Sequence, residues 1–310
     1  MEEIKEKLAE KYLKTEAYFN ISYEVFKKII FENKFLVTVI FILLLVLNVM
    51  GAKAAEKYAN LVKNGDIEGF IRAVSESFES TSSTLLGVLL GILFIIIMKN
   101  VASKIENKNT FSLLEILKRY FTVFIFEIIV FGILVIIFCL ILFMGAVFAR
   151  GMISSGAKDS EIIFLLIVFG SIGVIYAVAV SFIYWIKFLY FKPLYILRNL
   201  KFKEAMFYNF HLCKGNRLRI IIPHLLLFIL SSLLSIPFTV MNYILGSPFS
   251  NIIAIIFFVV NVGINMLISI MSVILGVVIY LNVEYMDLKK SKTVKSTDEN
   301  NLFENNEENW

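Results

Sequence analysis

The chain has 310 residues, of which 59% are hydrophobic and only 18% charged, with a mean hydropathy of +0.81. A soluble domain has roughly 45 to 50% apolar and about 25% charged residues; here the apolar residues gather in runs that no soluble core covers, so lipid is the solvent. The net charge of +5 would suit nucleic acid, but the basic residues flank the apolar runs, which assigns them to topology and argues against a nucleic-acid partner.

Residues 1–34 hold seven lysines and form an amphipathic segment. Ile21, Val25 and Ile29, with Phe26 and Ile30 beside them, repeat at helical spacing, which predicts a helix lying on the inner membrane surface. The first span is Phe35 to Ala52, 18 residues without a charge, close to the roughly 20 that a hydrocarbon core requires. A 34-residue charged leader is too long for a signal peptide, so an uncleaved span is expected. A mixed-charge outer segment follows, with a turn at Asn64-Gly65-Asp66, and then a second span from Ser80 to Met98.

Lys104, Lys108, Lys118 and Arg119 make the next connection basic. Within it Ser112-Leu113-Leu114-Glu115 has the form of a capping box that starts a helix. The third span lies within Tyr120 to Ala149, interrupted by one charge, Glu127. The fourth covers Ile162 to Ile186, where Gly170, Gly173, Ala177 and Ser181 offer a small-residue face to a neighbouring helix. From Ile220 to Val283 there are 64 residues without a formal charge; turn residues at Asn242 to Pro248 divide them into two spans. The tail, 284–310, is polar, with its last dozen residues expected to be disordered.

The fold class is therefore all-α: a polytopic membrane protein with six transmembrane helices over 35–283 and amphipathic helices on the cytoplasmic side. With the amino terminus inside, the inner segments carry 24 Lys and Arg and the outer ones 6, which places both termini in the cytoplasm of a cell membrane. Each outward-going span is preceded by a short amphipathic segment, near Ile21 to Ile30, Ser112 to Leu117 and Phe202 to Cys213, which suggests a threefold repeat. In the third segment Phe202, Met206, Phe210 and Cys213 form the apolar stripe, and Asn33-Lys34-Phe35 matches Asn216-Arg217-Leu218 at the same junction.

Lys203-Glu204-Ala205-Met206, then His211-Leu212-Cys213-Lys214-Gly215-Asn216 leading straight into a span, resembles the signature of a broad group of six-span bacterial membrane proteins. That group is related to the membrane domain of some glycerophosphodiester phosphodiesterases. Phe191-Lys192-Pro193-Leu194 is similar to the proline that precedes the signature there. The resemblance implies the six-span plan and marks Glu204, Ala205, Lys214, Gly215 and Asn216 as family-like positions. It does not carry over the hydrolase activity, which in those enzymes belongs to a separate soluble barrel for which the tail after Val283 leaves no room.

The chemistry-bearing residues inside the spans are few. Glu127 lies about 10 Å in from the inner end of its span at 1.5 Å per residue, and a charge there seeks a partner. Lys187 and His224 are expected at comparable depth. Glu127 then pairs with one of them, serves a proton or ion relay, or snorkels. Asn261 and Asn265, four apart, share a helix face and suit interhelical hydrogen bonding or contact with a substrate. Ser231, Ser232 and Ser235 are placed to satisfy backbone loosened by Pro237. Cys139 and Cys213 have neither CxxC nor Cys/His spacing, so no metal, disulfide or cofactor is expected. No HExxH, GxSxG, P-loop or dinucleotide fingerprint occurs, so a non-enzyme is expected. The sequence thus points to a membrane protein that organises lipid or a membrane partner, through basic segments attracted to anionic headgroups. The alternatives are a transporter or channel with a cavity near Glu127, Asn261 and Asn265, and a membrane-embedded enzyme acting on lipid headgroups. The partners in view are lipid, another membrane protein or a second copy of the chain.

Overall fold

A computed structural model describes residues 1–64, 81–107, 112–155, 159–245 and 251–307. The expected turn at Gly65-Asp66, the start of the second span at Ser80, Lys108, Lys158 and Gly246 to Pro248 of the Asn242 to Pro248 connector lie outside the described residues, while Asn242 itself is helical. The described chain is all helix: α1 (Glu2–Glu10), α2 (Thr15–Glu32), α3 (Lys34–Lys63), α4 (Thr81–Glu106), α5 (Leu113–Ser154), α6 (Asp159–Lys187), α7 (Phe191–Leu197), α8 (Phe202–Cys213), α9 (Arg217–Leu245) and α10 (Ile252–Glu307). Lipid offers the backbone no hydrogen bonds, so apolar runs of this length close their own as helices. Six of them, α3, α4, α5, α6, α9 and α10, contain stretches long and apolar enough to cross a membrane, and the protein is a multi-pass membrane protein.

Two compact units divide the chain, residues 1–111 with 218–310 and residues 112–217. In the first unit α10 is the hub. From Val277 to Val283 its side chains are buried all round, and α1, α2, α3 and α4 pack against it. A helix buried on every face has no lipid or water side, which is why this stretch carries no charge before Glu284. The helix continues into the polar tail as far as Glu307, over residues where sequence composition predicts disorder.

Structure changes the reading of the first amphipathic segment. Ile21, Val25 and Ile29 are all buried within the unit, where α2 packs on α10 and α4; they are covered by protein and do not face lipid. An ion pair from Lys104 to Glu32 and a hydrogen bond from Asn100 Nδ2 to Asn33 Oδ1 (3.3 Å) tie the end of α2 to α4. Truncating a fully buried isoleucine costs about 2–5 kcal/mol. Ile29→Ala is therefore expected to lower the thermal midpoint of the detergent-solubilised protein by several degrees, whereas an isoleucine resting on lipid would leave it unchanged.

In the second unit α5 and α6 form a long hairpin. At 42 residues α5 is about 63 Å long, twice the roughly 30 Å of hydrocarbon. Its first turns run straight into the span, as a helix started by the Ser112-Leu113-Leu114-Glu115 pattern would, and Ser112 Oγ accepts the Glu115 N–H (3.3 Å) at its start. Gly173 of α6 lies under the Phe138 ring, where an added Cβ would come within 2.9 Å; Gly170 has open space around it. So one of the small residues is used for close approach within the hairpin. The seven-residue α7 buries every residue except Lys192, and its Pro193 sits in the first turn, where the missing N–H has no helical partner to lose. Aromatic rings fix it: Phe126 of α5 meets Phe188 (5.6 Å), Phe191 (5.9 Å) and Phe202 (5.3 Å).

Candidate functional site

The residues expected to form an intramembrane cluster divide between the units. Glu127 and Lys187 lie in the second, His224, Asn261 and Asn265 in the first. The ion-pair partner the structure gives Glu127 is Lys192, at 3.8 Å, with both side chains about 40% exposed. Lys187 ends α6 and its side chain is exposed. The chain then turns through Phe188–Tyr190 and presents Lys192 on α7, a bend that hydropathy does not reveal. In the first unit Asn265 Nδ2 donates to Asn261 Oδ1 (3.2 Å) and Ser269 Oγ donates to the Asn265 carbonyl (2.8 Å). These asparagines bond along their own helix. The file they start reaches a cavity of about 340 Å³ whose lining includes Ser231, Ser269, Ser272 and His224. His224 Nδ1 lies 2.9 Å from the Ile220 carbonyl, and its ring packs beside Gly276. Ser232 Oγ donates to the Phe228 carbonyl (2.9 Å).

The family-like positions have plain structural roles at the two ends of α8. Glu204 accepts the Lys201 N–H (3.0 Å) from the third helical position, so its carboxylate caps the helix start. Ala205 is fully buried, on the face shared by Asn209 and Leu212. That face is the buried one; of the expected stripe Phe202 packs against Phe126, Phe191 and Tyr195, Phe210 meets Phe188, and only Cys213 is itself buried. At the far end the exposed Lys214 bonds through its N–H to the His211 carbonyl (3.1 Å), and Gly215 takes φ +83, a left-handed turn that costs other residues about 1–2 kcal/mol. Asn216 Nδ2 then donates to the Leu212 carbonyl (3.1 Å), while its own carbonyl accepts the Tyr190 hydroxyl (3.0 Å). Asn33 does the same at the end of α2, donating to the Ile29 carbonyl at 3.0 Å. The two asparagine junctions are alike in geometry as well as in sequence.

Each unit contains a buried asparagine that sequence reasoning passes over. Asn282 of α10 accepts the Tyr18 hydroxyl (2.6 Å) and the Leu13 N–H (3.2 Å), and donates to the carbonyls of Leu8 (2.6 Å) and Lys11 (2.9 Å). It thereby holds the whole α1–α2 connection. Burial pushes the Tyr18 phenol up to about 12, against the opposing pull of Arg219. Arg219 also stacks 4.0 Å over Tyr12. In the second unit Asn209 donates to the Lys187 carbonyl (2.7 Å) and accepts the Tyr190 N–H (3.1 Å), bracing the α6–α7 turn. Cys213 points its thiol at the same turn, 3.8 Å from the Lys187 carbonyl, and burial raises its pKa above the ordinary thiol value, which keeps it protonated.

Arg119 is engaged on several sides. Its Nη1 reaches the carbonyls of Tyr195 (2.8 Å), Arg198 (2.8 Å) and Leu200 (3.2 Å), Nη2 reaches Asn199 Oδ1 (3.2 Å), and the Glu115 carboxylate lies 3.7 Å away. A positive fork on the carbonyl-bearing end of α7 satisfies groups the helix leaves unpaired. Beside it opens a cleft of about 660 Å³, lined by residues that include Glu115, Lys118, Thr122, Asn199, Lys201 and Glu204. Among the described residues neither Lys118 nor Lys201 has an ion-pair partner. The sequence marks both only as basic residues flanking a span. No protein-family model, curated protein or solved structure matches this chain.

Proposed function

We propose that this is a non-enzymatic protein of the cell membrane, with both termini in the cytoplasm, whose cytoplasmic ends gather anionic phospholipid. The observation that carries this reading is the pairing of lysines with exposed aromatic rings next to the spans. Lys27 stands 4.3 Å over Tyr23 and Lys34 5.9 Å over Phe31 on α2 and its junction with α3; Lys203 stands 5.9 Å over Phe207 on α8. Phe31 is 70% and Phe207 62% exposed. An apolar ring beside an ammonium suits the headgroup layer, where one end of the group is greasy and the other wet. Each cation near the surface contributes about 1 kcal/mol of attraction to anionic lipid, so several together hold a lipid shell. The charge count supports the cytoplasmic placement, and the likeness to the six-span bacterial group supports the architecture.

Native mass spectrometry of the protein extracted with its lipid tests this. Anionic phospholipid should be retained in preference to zwitterionic, and the triple variant Lys27→Gln, Lys34→Gln, Lys203→Gln should lose that preference. Equal retention of both classes by the unaltered protein would end the reading. A second reading, a transporter of small polar solutes or protons, is favoured by the polar file from Asn261 to Ser269 and the His224 cavity. It places the pathway in the first unit, whereas Glu127 belongs to the second. Flux through reconstituted vesicles that His224→Phe abolishes would select it over the first.

A further inference from the structure

We infer that the cleft between the start of α5 and the start of α8 holds the headgroup of one phospholipid carrying both a phosphate and an ammonium group. The inference rests on the reading that this protein gathers lipid and goes beyond it: it names one site in the second unit that selects a zwitterionic headgroup, separate from the anionic shell drawn by Lys27, Lys34 and Lys203. Of the five charged residues that line the cleft, Arg119 is committed to carbonyls and Glu204 to the Lys201 N–H. That leaves Lys118 and Lys201 for an anion, and Glu115, which only grazes Arg119 at 3.7 Å, for a cation. Two ammonium groups and one carboxylate complement a phosphodiester with an attached amine. They suit a plain anionic headgroup less well, because it brings no positive charge to Glu115.

The position of the cleft identifies the source as lipid. Lys118 and Arg119 are the last charges before the long apolar run of α5, and Thr122, also in the lining, already belongs to that run. Lys118, Thr122, Ile125 and Ile129 follow one another at spacings of four, three and four, so they share a face of the helix. Ile125 and Ile129 are each 55% exposed, giving acyl chains an apolar track that leads away from the headgroup. The committed Arg119 makes the cleft floor rigid, so little ordering has to accompany binding.

The test uses the full chain in detergent micelles doped with phosphatidylethanolamine, phosphatidylglycerol, acyl-free glycerophosphoethanolamine or inorganic phosphate, read by native mass spectrometry. One equivalent of phosphatidylethanolamine should stay bound. Lys118→Gln and Lys201→Gln should each weaken it about tenfold, the loss of one charge-assisted contact, with Arg at either position restoring it. Glu115→Gln should erase the preference over phosphatidylglycerol while leaving phosphate binding intact. Thermal unfolding of each variant, unchanged, shows that the fold has survived. The inference is overturned if the lysine variants retain the lipid as the unaltered chain does, or if phosphatidylglycerol binds equally well before Glu115 is changed. It is also overturned if glycerophosphoethanolamine or phosphate binds as tightly as the lipid, since the site would then serve a soluble ligand. Loss of anionic lipid in the Lys27, Lys34 and Lys203 variant together with no effect at Lys118 and Lys201 would sink the site and leave the broader proposal standing.

Discussion

Asn282→Ala is expected to release the first fourteen residues from the body of the first unit, so that trypsin cleaves at Lys11 and Lys14 far faster than in the unaltered protein. Alanine fits the space and keeps α10 helical, but it leaves the carbonyls of Leu8 and Lys11, the Leu13 N–H and the Tyr18 hydroxyl without the partner they have now. Each orphaned buried polar group costs about 1–3 kcal/mol. Some of the four recover water as the segment loosens, so the net penalty is about 4 kcal/mol, roughly a thousandfold in the opening equilibrium. Because α1 buries only Ile4 and Leu8, it has little apolar contact to resist that opening. The rate of limited proteolysis, followed by mass, reads the effect directly. A variant cleaved at the original rate would mean that the segment is held by its packing and by contacts such as Arg219 on Tyr12, and not by Asn282.

The second large effect is expected at Arg119. Arg119→Lys keeps the charge and most of the length, yet a single ammonium cannot serve three carbonyls and the Asn199 side chain from one planar fork. The Tyr195, Arg198 and Leu200 carbonyls lose charge-assisted bonds, and the expected loss is about 2–4 kcal/mol. Hydrogen exchange should quicken over the α7–α8 connection and the first turn of α8 while the α5–α6 hairpin stays protected. If Arg119→Lys exchanged like the unaltered chain throughout, Arg119 would be a surface charge and the rigid floor of the cleft would be lost with it.

Much of the architecture was open to reading because lipid imposes one rule everywhere. A run such as Phe35 to Ala52 has no alternative to helix, and the Asn-Lys and Gly215-Asn216 breaks stand where helices do end. The site was far less legible. Asn282 sits in a charge-free run where amides also occur at Asn261 and Asn265, and nothing local distinguishes the one that reaches back 274 residues to Leu8. Arg119 belongs to a basic flank whose members all read as topology signals; its role is set by α7, a helix too short for periodicity to announce. The apolar stripe of α2 was correctly seen as a stripe, but spacing cannot say whether protein or lipid covers it. The Lys192 partner of Glu127 was not legible for a related reason: depth along separate helices does not reveal the turn after Lys187 that brings Lys192 to Glu127.

The proposal that the lysine-paired rings of α2 and α8 rest in the headgroup layer is tested most directly by depth. A nitroxide placed at Phe31 and, separately, at Phe207, in a chain with Cys139 replaced and reconstituted into vesicles, reports its exposure to dissolved oxygen and to a water-soluble nickel chelate. Comparable collision with both, the signature of the headgroup zone, is the predicted result at each position; free access to the chelate with little oxygen enrichment would put the rings in bulk water and contradict the account.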